Sequence, residues 1–212
     1  FRKMPKRKLN WALLSTARIN DSIIPAIKKS KHANLYAVAS RSNRNLKQYA
    51  RKRKIPIFYS SYEELLKDKK VDVIYISLPN HLHSKWIVLA AEAKKNVLCE
   101  KPITLSVKEI NKISKVAKKN NVAVQEATMM RFHPQTFFIQ DMVKKKKIGT
   151  IKYISALFSI GMSNFNDIRF KYNNGGGSLW DLGSYCISFA RSALQKEPTQ
   201  VFAKKIHVAG KG

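Results

Sequence analysis

The chain has 212 residues and 44% hydrophobic content, enough for one large domain or one and a half ordinary ones with a buried core. Its 41 Lys and Arg against 13 Asp and Glu give a net charge of +28, which raises nucleic acid or an anionic surface as a partner. The basic residues are scattered over every polar face, and Lys, Asn and Ile are all abundant, so an A/T-rich coding sequence accounts for the charge and no specific nucleic-acid partner is expected.

No apolar run is long enough to span a membrane. The basic start FRKMPKRKLNW lacks the apolar stretch of a secretory signal. Cys99 and Cys186 stand in apolar settings that suit buried thiols in a reducing compartment, hence a cytoplasmic location. No Cys/His cluster has zinc-ligand spacing, so no metal site is expected.

In chain order, residues 9–15 (LNWALLS) read as a buried strand, followed by a helix around 22–30. Residues 34–40 (NLYAVAS) are the next strand and 44–54 the next helix, before a short strand at 55–59. Residues 61–67 open with a Ser-x-x-Glu cap, and 71–78 (VDVIYISL) are strongly apolar and β-branched. A helix at 83–95, a strand at 96–100, a helix at 106–120 and a strand at 122–127 complete the series. Alternation of buried strands with helices predicts a doubly wound parallel sheet, an α/β nucleotide-binding architecture, over residues 1–127.

The pattern changes after residue 128. A helix around 134–146 leads through Gly149 to a long apolar run, 150–160 (TIKYISALFSI), which reads as a strand of a more open sheet. A glycine loop, a helix at 178–194 and an alternating run at 199–209 follow. Residues 128–212 are therefore expected to begin an α+β domain with an open, mostly antiparallel sheet that is incomplete at its C-terminal side.

A dinucleotide-binding fold carries Gly-x-Gly-x-x-Gly between its first strand and helix. Here WALLSTARIN takes that place, with Ala12, Ser15 and Ala17 read at the three positions, and no glycine precedes Gly149. Ser15, Thr16, Ala17 and Arg18 then form the candidate phosphate turn. The Ser15 side chain points where phosphate sits, while its hydroxyl and that of Thr16 offer hydrogen bonds near a helix N-terminus. At the end of the second strand, Ser40 and Arg41 replace the acidic residue that reads the ribose hydroxyls of NAD. Arg41 can pair with a 2′-phosphate in a planar fork, which favours NADP over NAD; alternatively it is one more Arg in a basic chain.

CEKPITLSVKE (99–109), QEATMMRFHPQ (125–135) and GGGSLWDLGSYCI (175–187) occur in that order after the doubly wound pattern. Together they resemble the glucose-fructose oxidoreductase / inositol dehydrogenase (Gfo/Idh/MocA) family, and within it the branch of dimeric dihydrodiol dehydrogenases and xylose dehydrogenases. The resemblance runs from about Leu9 onward. It implies an NADP-dependent oxidoreductase passing hydride between nicotinamide and a CH–OH group of a sugar or cyclic diol. It implies a homodimer through the C-terminal sheet. It also implies Lys101 and Tyr185 as catalytic residues, with Asp181 orienting the site, and that Leu78, Pro79, Asn80, His83, Glu100, Lys101, Arg131 and Trp180 lie along the cofactor.

The chemistry is consistent. A free Tyr, with a pKa of about 10, is a poor base, and a neighbouring ammonium favours tyrosinate. Asp181 and Tyr185, at i and i+4, share one helix face. Each residue also has a plainer role. Ser178-x-x-Asp181 is a capping-box pattern, Tyr185 a half-buried aromatic, Lys101 a turn residue before Pro102, and His133 a structural histidine. Two other functions stand beside the oxidoreductase: a degenerate family member that binds a nucleotide or sugar without turnover, motivated by Ala12 and Ser15, and a basic nucleic-acid-binding protein, motivated by charge alone.

Overall fold

A computed structural model describes residues 7–204, which divide into two compact units after Ala127. In the first, strands β1 (Leu9–Leu14), β2 (Ala33–Ala39), β3 (Ile57–Tyr59), β4 (Val73–Ile76), β5 (Asn96–Cys99) and β6 (Val124–Glu126) form one sheet. Its order is β3-β2-β1-β4-β5-β6, and every neighbouring pair is parallel. Helices α1 (Asn20–Lys29), α2 (Leu46–Lys52), α3 (Tyr62–Lys67), α4 (His83–Glu92) and α5 (Val107–Asn120) make the connections.

The strands read as continuous apolar runs because both faces are covered. Ala12 and Leu14 of β1 and Ile74 and Ile76 of β4 enter one core cluster. The alternate residues, Leu13 and Tyr75, enter the other. The Ser-x-x-Glu signal at 61–64 caps as expected, Ser61 Oγ accepting from Glu64 N–H, and Ser106 Oγ likewise accepts from Glu109 N–H. At the amino ends of the strands, Asp72 accepts from Asn10 N–H at 2.8 Å and from the Arg7 guanidinium at 2.7 and 2.6 Å. The chain runs from β1 outward through β2 to β3, then crosses back to place β4 on the other side of β1. The carboxyl ends of β1 and β4 therefore border the crevice where such folds bind ligands.

In the second unit, α6 (Pro134–Lys144) packs on α7 (Ser184–Leu194), with Gln140 Nε2 donating to Ser192 O and Oγ. His133 caps α6, its Nδ1 accepting from Gln135 N–H, in keeping with a structural role. Two expectations are corrected here. Residues 150–160 and 199–204 form no strand, and the open antiparallel sheet is not formed among the described residues. A strand persists only in a ladder, and among the described residues neither run has a strand partner. The rest of the second run, 205–209, lies outside the described residues. Ser178 does not cap its helix either. It already has helical dihedrals and makes no side-chain cap bond, and Asp181 N–H is taken by Gly177 O at 3.0 Å. A π-helical turn, Leu179–Gly183, precedes α7.

Candidate cofactor and active site

The β1–α1 turn is built without glycine. β1 ends at Leu14 and α1 begins at Asn20, so the i, i+2, i+5 spacing falls on Ser15, Ala17 and Asn20. Ala12 lies inside the strand and is fully buried, which corrects the register read from sequence. Ser15 has φ 130°, in the region that ordinarily requires glycine, at a cost of about 1–3 kcal/mol for other residues. Hydrogen bonds hold it there. Asn20 Nδ2 donates to Ser15 O at 2.9 Å, and Ser77 Oγ donates to Asn20 Oδ1 at 2.7 Å. That bond uses the only Ser77 hydroxyl proton, so the 2.8 Å contact between Ser15 Oγ and Ser77 Oγ is donated by Ser15. Ser15 Oγ in turn accepts from Ala17 N–H at 3.1 Å, and Asn20 Nδ2 also reaches Tyr49 Oη at 3.0 Å.

The Ser15 hydroxyl is therefore turned inward, onto the end of β4, and not to where a phosphate would rest. Thr16 and Ala17 are half-buried and Arg18 exposed beside the amino end of α1. A turn of this kind before the amino end of a helix would fit the phosphates of a dinucleotide.

Directly after β2, Ser40 is buried and its Oγ accepts from Ser42 N–H at 3.3 Å. Arg41 is exposed, with its guanidinium carbon 5.8 Å from the centre of the Tyr62 ring. Tyr62 stands edge-on to Trp86 at 4.9 Å. The cation thus rests on a buried aromatic pair.

After β4 and β5 come Leu78–Asn80 and Glu100–Lys101. The Leu78 side chain is part of the core, while Pro79 and Asn80 are half-buried. The Glu100 carboxylate accepts from the phenol of Tyr75, whose pKa burial and then Glu100 push well up. The Lys101–Pro102 peptide is cis. His83 is fully buried, so its ring works on the backbone: Nδ1 lies 2.8 Å from Pro102 O and Nε2 2.8 Å from Leu78 O. Burial lowers its pKa, against the raising effect of the two carbonyls and Glu100. His83 ties the loop after β4 to the turn that carries Lys101.

In the second unit the three glycines serve the loop's own backbone. Gly175 (φ 77°) and Gly177 (φ 113°) are left-handed, and a Cβ on Gly176 would lie 2.6 Å from Arg169 O. Gly177 N–H also donates to Arg169 O at 2.7 Å. Asp181 accepts an ion pair from Arg169 Nε at 3.0 Å, and Arg169 also binds Asp167. Tyr185 is half-buried, with Phe158 edge-on at 5.6 Å. Trp180 O accepts from Ser184 Oγ. Arg131 borders a polar cleft with Gln140, Ser188 and Arg191.

Residues 9–128 match the family model described as "Oxidoreductase family, NAD-binding Rossmann fold" (GFO_IDH_MocA), and 138–210 match the GFO/IDH/MocA C-terminal domain. The chain belongs to this family. It is 37% identical over 195 residues to D-xylose 1-dehydrogenase (NADP(+)) 2 of Haloferax volcanii, across 91% of this chain and 59% of the relative. It is 32% identical over 201 residues to trans-1,2-dihydrobenzene-1,2-diol dehydrogenase of Danio rerio, across 93% and 60%. Among solved structures it resembles KijD10, a 3-ketoreductase of Actinomadura kijaniata in complex with NADP and TDP-benzene. There the TM-score is 0.84 and the identity 31%, covering 89% of this chain and 58% of that one. The chain spans about 59% of the length of its first curated relatives.

With the family established, the candidate residues sort by unit. Ser15–Arg18, Ser40–Arg41, Leu78–Asn80 and Glu100–Lys101 all follow the carboxyl ends of parallel strands, along one edge of the sheet. Arg131, Trp180, Asp181 and Tyr185 belong to the second unit. Asn20, Ser77, Tyr75, Tyr62 and Arg169 escaped the sequence reading. Asn20 was findable, since it takes the last place of the glycine spacing. Arg169 was hidden among 41 basic residues.

Proposed function

We propose that the protein is an NADP-dependent oxidoreductase that transfers a hydride between nicotinamide and a CH–OH group of a sugar or cyclic diol. Residues 1–127 form the dinucleotide-binding domain. Residues 128–212 belong to a substrate and dimerisation domain. The setting is cytoplasmic, and the assembly a homodimer through that domain. The observation that carries the reading is the row of candidate residues following the carboxyl ends of β1, β2, β4 and β5. The named dehydrogenases and the NADP-bound ketoreductase among its relatives support it.

Bound NADP supplies the hydride acceptor and donor. Thr16, Ala17 and Arg18 hold its phosphates at the amino end of α1. Arg41, steadied on Tyr62, meets the 2′-phosphate. Pro79, Asn80, Glu100 and Lys101 are the nicotinamide-side residues of the first unit, and Arg131 and Trp180 those of the second. Tyr185 takes the hydroxyl proton, and Lys101 is the other catalytic residue. Asp181, paired with Arg169, orients the site; a π-helical turn at this point is a common feature of functional sites.

Fluorescence titration with NADPH and NADH tests the cofactor reading. The chain is expected to prefer NADPH, and Arg41→Leu to erase about tenfold or more of that preference, the scale of one charged hydrogen bond. Equal binding of both cofactors by the wild type would sink it. Tyr185→Phe is expected to cut turnover by about 10²–10⁴-fold while NADPH affinity holds; unchanged turnover would refute its role.

A further inference from the structure

We infer that Asn20 is a positioning residue that does the work of the glycines missing from the β1–α1 turn. It clamps Ser15 in the left-handed conformation that keeps the turn open to the phosphates of a dinucleotide. This rests on the proposed cofactor reading and adds to it Asn20 and Ser77, which that reading does not use.

Ser15 follows the last residue of β1 and has φ 130°, where a side chain is disfavoured. Such a conformation persists only where its surroundings over-determine it. Here they do so through a closed ring of hydrogen bonds. Ser15 Oγ donates to Ser77, Ser77 Oγ donates to Asn20 Oδ1, and Asn20 Nδ2 donates to Ser15 O. Asn20 is 0% exposed, and each of its polar groups has a partner inside the protein. The ring does two things that glycines do in other such turns. It holds the positive φ, and it draws the Ser15 hydroxyl down onto Ser77, away from the phosphate face. It also joins the turn to Ser77, the residue before Leu78, and so links the phosphate end to the loop after β4.

An ordinary core residue and a conformational clamp differ in one respect. A clamp is needed only while residue 15 carries a side chain. Replacing Ser15 by Gly should make Asn20 dispensable, whereas loss of core packing would not depend on residue 15. The experiment is a double-mutant cycle of Asn20→Ala, Ser15→Gly and the pair, read by NADPH fluorescence titration and by Tm without cofactor. Asn20→Ala alone should weaken NADPH binding about tenfold and lower Tm, the scale of losing a buried hydrogen-bonded group. In the Ser15→Gly background the same change should alter affinity by less than about twofold and leave most of the Tm. If Asn20→Ala alone fails to fold, recovery of the fold by Ser15→Gly supports the clamp, and failure to recover overturns it. Equal losses in both backgrounds, or no loss in either, also overturn it. A wild-type chain that binds no NADPH refutes the cofactor reading instead, and the Tm cycle still decides the clamp.

Discussion

β4 and the run 150–160 are alike in sequence and opposite in fate. Both are apolar and β-branched. β4 has β1 on one side and β5 on the other, with Ile74 fully buried. In 150–160, Tyr153 and Leu157 are 82% and 90% exposed and no strand forms. β-propensity describes how a side chain fits a pleated surface that already exists; it does not supply the surface. The first unit supplies it through crossover helices that bring each strand to a neighbour. The described part of the second unit offers 150–160 no such neighbour.

The largest effect that tests this contrast is a matched truncation. Ile74→Ala should cost about 2–5 kcal/mol of stability, because it opens a cavity in a packed core. Leu157→Ala should change stability by no more than about 0.5 kcal/mol. Urea denaturation of both variants measures the difference. A comparable loss at Leu157 would mean that 150–160 is packed in solution, and the contrast would fall.

A smaller effect separates backbone precision from apolar burial within the second unit. Gly176 lies against Arg169 O and Ile168 O, at 2.6 and 2.9 Å from where a Cβ would stand. Gly161 has open space around it. Gly176→Ala should therefore destabilise by about 1–3 kcal/mol, as overpacking does. Gly161→Ala should be near neutral, within about 0.5 kcal/mol. Thermal melts of the two variants decide it. If Gly176→Ala melts like the wild type, the glycine loop is not held against residues 168–169, and the Arg169–Asp181 pair loses its support.

The strand–helix order of the first unit was legible because continuous apolar runs and Ser-x-x-Glu caps are local signals with local causes. The phosphate turn was only half legible. Its glycines are absent, and the substitute is a ring formed by residues distant in sequence, Ser15, Asn20 and Ser77, which no local motif announces. The resemblance places His83 along the cofactor; that its ring is fully buried, with its nitrogens 2.8 Å from Pro102 O and Leu78 O, is a long-range arrangement no local motif announces. The motifs nominate Lys101, Asp181 and Tyr185, but the Arg169 that pairs with Asp181 could not be picked out of so basic a chain. The long run 150–160 misled for the reason already given, since its propensity was real and no ladder partner stands beside it among the described residues.

The smallest effect concerns how the first unit is tied at the amino ends of its strands. Asp72 accepts from Arg7 and from Asn10 N–H. Burial pushes its pKa up, but the Arg7 hydrogen bond, the Asn10 N–H and the charges of Arg7 and Lys95 outweigh that and leave it below the usual carboxylate range. A carboxylate with a depressed folded pKa stabilises above its unfolded pKa of about 3.9, and that stability is lost as pH falls through the folded value. Asp72→Asn removes the contribution at neutral pH, so the variant should have the lower Tm at pH 7 and converge on the wild type as the medium is acidified. Because the Arg7 side chain is 62% exposed, solvent screens the pair and the gap at pH 7 should be small. A gap that stays constant from pH 7 to about pH 2 would show that Asp72 acts through its shape and hydrogen bonds alone, and that its charge does not help hold β1 to β4.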